Sequence, residues 1–153
     1  CRVDMILGAA TESRLFGVVD GRRRASSLTI TTDDGSLGTK GRVTDVLDGI
    51  LDEHGGQVIY GCGPMGMLAG LAKTAQERGI ASQCAVEEAM ACGVGVCMTC
   101  VLPVVGNDGV TRMTRSCTDG PVFFGDQVRW DDVGTVPSDC LGAPAAHNPG
   151  GAR

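Results

Sequence analysis

The first half of the chain alternates short apolar runs with longer segments in which apolar residues recur at helical spacing. The predicted strands are residues 3–7, 28–32, 57–60 and 80–86. The predicted helices are residues 41–51 and 65–78. Pro64 suits the first turn of the second helix, and Gly79 suits its end. Strands that alternate with helices predict an α/β domain with a parallel sheet.

The pattern changes after Glu88, where glycine, cysteine and methionine replace the regular apolar runs. Residues 101–105 and 110–114 flank the turn sequence Gly-Asn-Asp-Gly and predict one hairpin. The small Gly/Pro/Ala-rich residues after position 140 predict disorder. We therefore divide the chain into an α/β domain (1–86), a cysteine-rich segment (87–130) and a C-terminal tail (131–153), disordered from about residue 140.

The composition narrows the possible functions. The 153 residues include 24 glycines and 8 cysteines and carry a net charge of −5. The acidic balance argues against a surface that binds nucleic acid or an anionic membrane, since either needs clustered Lys and Arg. No apolar run is long enough to span a bilayer. Clustered rather than dispersed cysteines favour reduced thiols and a cytoplasmic location over a disulfide framework.

Four of the cysteines have the spacing of a metal centre. Cys92, Cys97 and Cys100 follow a C-x4-C-x2-C pattern, and Cys117 stands apart behind the predicted hairpin. This is the spacing of plant-type [2Fe–2S] proteins. The residues between the first two cysteines are small (Gly-Val-Gly-Val), which lets backbone N–H groups approach the sulfurs. We expect the four sulfurs to converge within a few ångströms of one point.

A zinc site with four cysteine ligands is the alternative, since zinc also binds thiolates. Zinc sites usually combine two short cysteine knuckles, whereas here three cysteines share one loop. Zinc bound to an interaction module without a redox role therefore remains an open but less favoured interpretation. Cys1, Cys84 and Cys140 lie outside the pattern and are interpreted as buried or tail residues.

A glycine-rich turn joins the third predicted strand to the following helix. Gly61-Cys62-Gly63-Pro64-Met65-Gly66 formally matches G-x-G-x-x-G in the required strand–turn–helix context. As a dinucleotide fingerprint the match is weak, because two other strands precede it and no acidic residue follows at the right distance. A tight turn without any ligand is the alternative.

Together these segments resemble a known family. VIYGCGPMGML resembles the nicotinamide-side loop of ferredoxin reductase-like NAD domains. TTDDGSLGTKGRVTDVL and the block VEEAMACGVGVCMTCVLPV with its trailing RSCTDGPVF are similar to the electron-transfer subunit of NAD-dependent (class 1B) dihydroorotate dehydrogenase. The resemblance extends over about residues 3–128, and the cysteine block is its most specific part.

The resemblance implies the cofactors and the site residues. It implies that the four cysteines at 92, 97, 100 and 117 are the [2Fe–2S] ligands, and that Gly61, Cys62, Gly63, Pro64 and Met65 form the cofactor-binding nicotinamide loop. FAD and NAD are the other cofactors of the family, which binds FAD in an N-terminal barrel. No side chain of this chain is assigned as a catalytic acid or base, because the cofactors supply the chemistry.

The resemblance also implies partners and a pathway. An FMN-containing dihydroorotate dehydrogenase catalytic subunit would oxidise dihydroorotate in pyrimidine biosynthesis, within a heterotetramer, and electrons would reach NAD through the cluster and FAD. The alternative in the same superfamily is the small subunit of an NADH-dependent ferredoxin:NADP or sulfide oxidoreductase.

The family pattern further implies that this chain is the C-terminal part of a longer protein. The FAD barrel and the first strand of the NAD domain have no counterpart here, so we expect a partial NAD-binding domain that is inactive by itself. Without the central strand, strands 3–7 and 57–60 either stay about two strand spacings apart or pair directly. We favour direct pairing into one four-stranded parallel sheet, because it would satisfy both edges.

Overall fold

A computed structural model describes residues 1–144 and divides the chain into two compact units, Cys1–Gly56 and a second unit that begins at Gln57. The strands are β1 (Asp4–Ala9), β2 (Ser27–Thr32), β3 (Thr39–Lys40), β4 (Val58–Cys62), β5 (Ala81–Ala85), β6 (Val101–Val105), β7 (Thr111–Arg115) and β8 (Val122–Phe124). The helices are α1 (Val18–Arg24), α2 (Val43–His54), α3 (Met65–Glu77) and α4 (Ser116–Asp119), with 3-10 turns at Glu12–Arg14 and Trp130–Asp132.

The first unit is a small parallel sheet with two helices. Its strand order is β1-β2-β3, and both neighbouring pairs are parallel. Helix α2 begins where the Arg42 N–H donates to the Asp45 carboxylate at 2.8 Å, and it ends at Gly55, whose φ of 69° favours glycine. Leu47 and Leu51 are the buried residues of this helix. The amphipathic pattern read from the sequence therefore selects the face that is buried.

The second unit contains a three-stranded sheet of order β4-β5-β8. Strands β4 and β5 are parallel, and β8 joins β5 in the antiparallel direction. Helix α3 packs on this sheet through Leu68 and Leu71. Gly61 of β4 permits this approach, because a Cβ there would lie 2.7 Å from Leu71 Cδ1 and 3.0 Å from Leu68 Cδ2.

Strands β6 and β7 form the predicted antiparallel hairpin in the same unit. The following segment lies along it: the Arg129 N–H donates to the Pro103 carbonyl at 3.0 Å, and the Leu141 N–H donates to the Thr111 carbonyl at 2.8 Å. Cys140 is buried there. The beginning of the predicted tail is therefore held on the hairpin by backbone hydrogen bonds, and its residues 145–153 lie outside the described residues.

The predicted fold class is confirmed: parallel strands with helical crossovers precede a cysteine-rich segment. The favoured four-stranded sheet is wrong, because in residues 1–144 the hydrogen bonds of β1 go to β2 and those of β4 go to β5. Each unit completes a three-stranded sheet with its own residues, the second by adding β8. Within residues 1–144, no helix has the length and apolar character that crossing a membrane requires.

Candidate metal centre

The loop between β5 and β6 carries three of the four candidate ligands and is folded by left-handed turns. Gly93 and Gly95 have φ angles of 67° and 80°, and Met98 has a φ of 58°. Glycine adopts such angles without a steric penalty, whereas methionine rarely does. These turns keep the loop compact, and so Cys92 and Cys97 come close to each other.

Three hydrogen bonds in this loop end on cysteine sulfur. The N–H groups of Val94 and Cys97 donate to Cys92 Sγ at 3.5 Å and 3.4 Å. The Thr99 hydroxyl donates to Cys97 Sγ at 3.0 Å. Such donors stabilise the negatively charged thiolate, and the thiolate is the form of cysteine that binds a metal.

The fourth cysteine is returned to the loop by the β6–β7 hairpin. Cys100 precedes β6, and Cys117 lies in α4 directly after β7. The N–H and the hydroxyl of buried Ser116 both donate to the Cys100 carbonyl, at 2.9 Å and 3.0 Å. These two hydrogen bonds to one carbonyl close the base of the hairpin, where the thiols of Cys100 and Cys117 are neighbours.

These contacts change the acidity of the thiols. The hydroxyl of Thr99, followed by the Cys92 thiol, lowers the pKa of Cys97 to about 6. The neighbouring Cys117 thiol lowers the pKa of Cys100, and this interaction in turn raises the pKa of Cys117.

The four thiols influence one another's acidity chiefly as two pairs, Cys92 with Cys97 and Cys100 with Cys117. Within residues 1–144, no three Cys, His, Asp or Glu side chains are arranged to hold a metal ion. The expectation that all four sulfurs already surround one point is therefore not met. The donor set itself, four thiols with N–H and O–H donors aimed at sulfur, fits a thiolate-bound cluster. The assignment of these four residues as ligands stays a prediction.

The predicted nicotinamide loop, Gly61 to Met65, connects β4 to α3 in the same unit. The exposed side chain of Cys62 lies at the end of β4, and Gly63 has a φ of 147°. The Pro64 carbonyl accepts the N–H of Met67 at 2.9 Å in the first turn of α3. Helix packing alone already requires Gly61, so this geometry fits a tight turn with or without a ligand, and the cofactor-binding role of the loop stays a prediction.

Sequence reasoning missed two side chains of the site. Thr99 donates to a cysteine sulfur, and Arg115 Nη1 donates to the Gly95 carbonyl at 3.1 Å. Thr99 lies inside the C-x2-C spacing, where its hydroxyl could have been noticed. Arg115 could not be found in this way, because its acceptor is twenty residues distant in the chain.

Comparison with known proteins identifies the class of site. Residues 87–129 match the family described as the iron-sulfur cluster binding domain of dihydroorotate dehydrogenase B. This segment is therefore similar to an iron–sulfur cluster binding domain, and the match favours a cluster over the zinc alternative.

The wider chain is similar to the electron transfer subunits of the same enzyme. It is 35% identical to the "probable dihydroorotate dehydrogenase B (NAD(+)), electron transfer subunit" of Methanopyrus kandleri, over 93% of this chain and 51% of that protein. It is 44% identical to the corresponding subunit of Bacillus caldolyticus, over 65% of this chain and 36% of that protein. The resemblance predicted from the motifs is confirmed, and the chain spans about half the length, or less, of these relatives.

A solved structure shares the fold. A structure of an NADH-dependent reduced ferredoxin-NADP oxidoreductase, described in connection with flavin-based electron bifurcation, superposes with a TM-score of 0.71 and 31% identity. The match covers 86% of this chain and 46% of that one. The oxidoreductase in that solved structure is of the kind given in the sequence analysis as the alternative within the superfamily.

Proposed function

We propose that this chain binds a [2Fe–2S] cluster through Cys92, Cys97, Cys100 and Cys117 and serves in electron transfer between a dihydroorotate dehydrogenase catalytic subunit and NAD. The observation that carries the proposal is the family match over residues 87–129, which contains all four cysteines in the plant-type spacing. A bound cluster supplies one-electron transfer. The chain's own residues hold it, and the N–H and O–H donors to sulfur stabilise its negative charge.

In the proposed whole protein, the partner's FMN and the FAD of the longer chain would supply the two-electron chemistry that couples oxidation of dihydroorotate to orotate with reduction of NAD⁺. FAD and NAD are cofactors of the longer protein, and the Gly61–Met65 turn is the proposed nicotinamide contact. The domain boundaries near residues 86 and 130, a cytoplasmic location and the inactivity of this chain by itself toward NADH belong to the same proposal.

The surface of the cysteine loop supports a partner subunit. Val94 and Val96 are 69% and 79% exposed, and Met98 is 49% exposed. Exposed apolar side chains grouped on one loop are typical of interaction sites. We propose that this apolar rim faces the FMN-containing subunit, in a heterotetramer. Copurification of the longer protein with that subunit, and its loss in a Val94→Asp/Val96→Asp double variant that retains its iron, would test the assignment.

The metal assignment is tested on the 153-residue chain, purified and reconstituted without oxygen. We expect two iron and two acid-labile sulfide per chain and an EPR signal after reduction. Replacing any of the four cysteines with serine should abolish or shift that signal. Cys140→Ser is the control, because Cys140 is buried outside the loop. A preparation that binds one zinc and no iron would overturn the proposal in favour of an interaction module.

The solved structure described above specifically favours the second candidate, an NADH-dependent ferredoxin:NADP oxidoreductase subunit. The longer protein separates the two candidates. Orotate formation coupled to NAD⁺ reduction in the presence of the FMN subunit supports the first. Reduction of NADP⁺ by reduced ferredoxin together with NADH, without any dihydroorotate activity, supports the second.

A further inference from the structure

The four candidate ligands come from two separate segments, and one side chain joins them. Cys92 and Cys97 flank the Gly-Val-Gly-Val loop, whereas Cys117 lies in α4. Arg115 Nη1 donates to the Gly95 carbonyl at the middle of the loop, at 3.1 Å. Since Arg115 lies two residues before Cys117, this bond connects the segment of the fourth ligand directly to the loop of the first two.

Asp119 fixes the direction of the arginine. The Arg115 Nε donates to Asp119 Oδ2 at 3.3 Å, and the Arg115 backbone N–H donates to the same oxygen at 3.2 Å. The guanidinium thus uses one edge for Asp119 and another for Gly95. A lysine has no such fork and cannot reproduce both contacts with fixed geometry.

The loop is shaped to accept this contact. Gly95 has a φ of 80°, and a Cβ at this position would lie 2.9 Å from Thr118 Cγ2 and 3.4 Å from Arg115 Nη1. Glycine is therefore required both by the backbone angle and by the closeness of the segment that carries Cys117. The loop and the α4 segment are in contact at this point independently of any bound group.

We propose that Arg115, oriented by Asp119, is a positioning residue that locks the cysteine loop onto the Cys117 segment and so preorganises the cluster site. The proposal rests on the function proposed above. Arg115 donates to the Gly95 carbonyl, so it acts on the cluster site through the loop. Its side chain is 40% exposed, and exposed ion pairs contribute little to global stability. The effect is therefore expected in loop order, cluster retention and reduction potential rather than in the melting temperature.

The test compares Arg115→Gln, Arg115→Lys and Asp119→Asn with the matched control Arg112→Gln, all in the 153-residue chain. Arg112 also lies in β7 and pairs with an aspartate, Asp108, at 2.6 Å, but its contacts are at the hairpin tip. The measurements are the rate of cluster loss to a chelator, the reduction potential, and hydrogen exchange of the Gly93–Cys97 amides in the metal-free chain.

For Arg115→Gln we expect cluster loss to become about 10–100-fold faster, the effect typical of residues that orient metal ligands. The potential should fall, because removing a positive charge disfavours the more negative reduced cluster. Hydrogen exchange of the Gly93–Cys97 amides in the metal-free chain should become faster. Arg115→Lys should have a reduction potential close to that of the unmodified chain, because the positive charge is kept, but it should still lose the cluster rapidly. Asp119→Asn should also lose the cluster faster, although the charge of Arg115 is unchanged. Arg112→Gln should match the unmodified chain.

Equal behaviour of Arg115→Gln and Arg112→Gln in all three measurements would overturn the proposal. Failure of the proposed function has a different signature. If the unmodified chain takes up no iron, the cluster assignment fails, while hydrogen exchange in the metal-free chain still decides whether Arg115 holds the loop.

Discussion

At the scale of single residues, the hydroxyl of Thr99 donates a hydrogen bond to the sulfur of a candidate ligand. It lies 3.0 Å from Cys97 Sγ. Thr99→Val keeps the shape and removes the donor, so the reduced cluster loses a hydrogen bond that stabilises its extra negative charge. We expect an unchanged iron content and a lower reduction potential, measured by redox titration followed by EPR.

Thr114→Val is the matched control, because Thr114 lies in β7 and its hydroxyl donates to the Arg112 carbonyl rather than to sulfur. Its potential should equal that of the unmodified chain. Equal potentials in Thr99→Val and Thr114→Val would mean that the hydroxyl does not influence the cluster.

At the scale of elements, the turn from β4 to α3 is held by packing that can be measured without any cofactor. A Cβ added at Gly61 would lie 2.7 Å from Leu71 Cδ1, and both Leu68 and Leu71 are buried. Gly61→Ala should therefore reduce the free energy of unfolding by about 1–3 kcal/mol, as overpacking usually does. Gly66→Ala, inside α3 with nothing within 4 Å of the added Cβ, should instead stabilise by about 0.5–1 kcal/mol.

Denaturant unfolding of the two variants measures both the expected loss and the expected gain in the free energy of unfolding. A Gly61→Ala variant as stable as the unmodified chain would show that the leucines move aside without cost. In that case packing would not explain the glycine, and the case for a cofactor contact at this turn would become stronger.

The helices and strands differ in how well the sequence predicts them, and the reasons are physical. Helix α3 was predicted over 65–78 and is found at Met65–Glu77, because its periodicity, Pro64 and Gly79 are all local signals. Helix α1 was missed, since its charged sequence holds no apolar period and Gly21 contributes its only buried position. Strand β8 was missed because it has three residues and depends on pairing with β5. Local patterns thus predict elements, whereas non-local pairing decides how they assemble.

In the candidate site, too, some features can be predicted from local sequence and others depend on tertiary contacts. The spacing of the four cysteines can be read from the sequence and predicts an iron–sulfur centre. The family resemblance carried by the surrounding sequence block is confirmed over residues 87–129. The side chains that hold the two segments of the site together are set by tertiary contacts. The Arg115 bond to Gly95 joins residues twenty positions apart, and the Ser116 bonds to the Cys100 carbonyl join residues sixteen positions apart.

At the scale of the whole molecule, the eight cysteines provide a single readout of fold and site together. Each is a free thiol in this structure. Cys84 has no exposed surface, and burial raises its pKa to about 11, so it stays protonated at pH 8. Cys140 is also buried, whereas Cys1 and Cys62 are exposed. Because the thiolate is the reactive form, exposure and pKa together predict which cysteines react.

We expect the iron-loaded chain at pH 8 to react rapidly with a maleimide at Cys1 and Cys62 alone, as mapped by peptide mass spectrometry. Removing the iron should add Cys97 first, since its pKa is about 6 and its side chain is exposed. Cys84 should react only after unfolding. Rapid labelling of Cys97 in the iron-loaded chain would argue against its role as a ligand, and labelling of Cys84 in the folded chain would contradict the packing of β5.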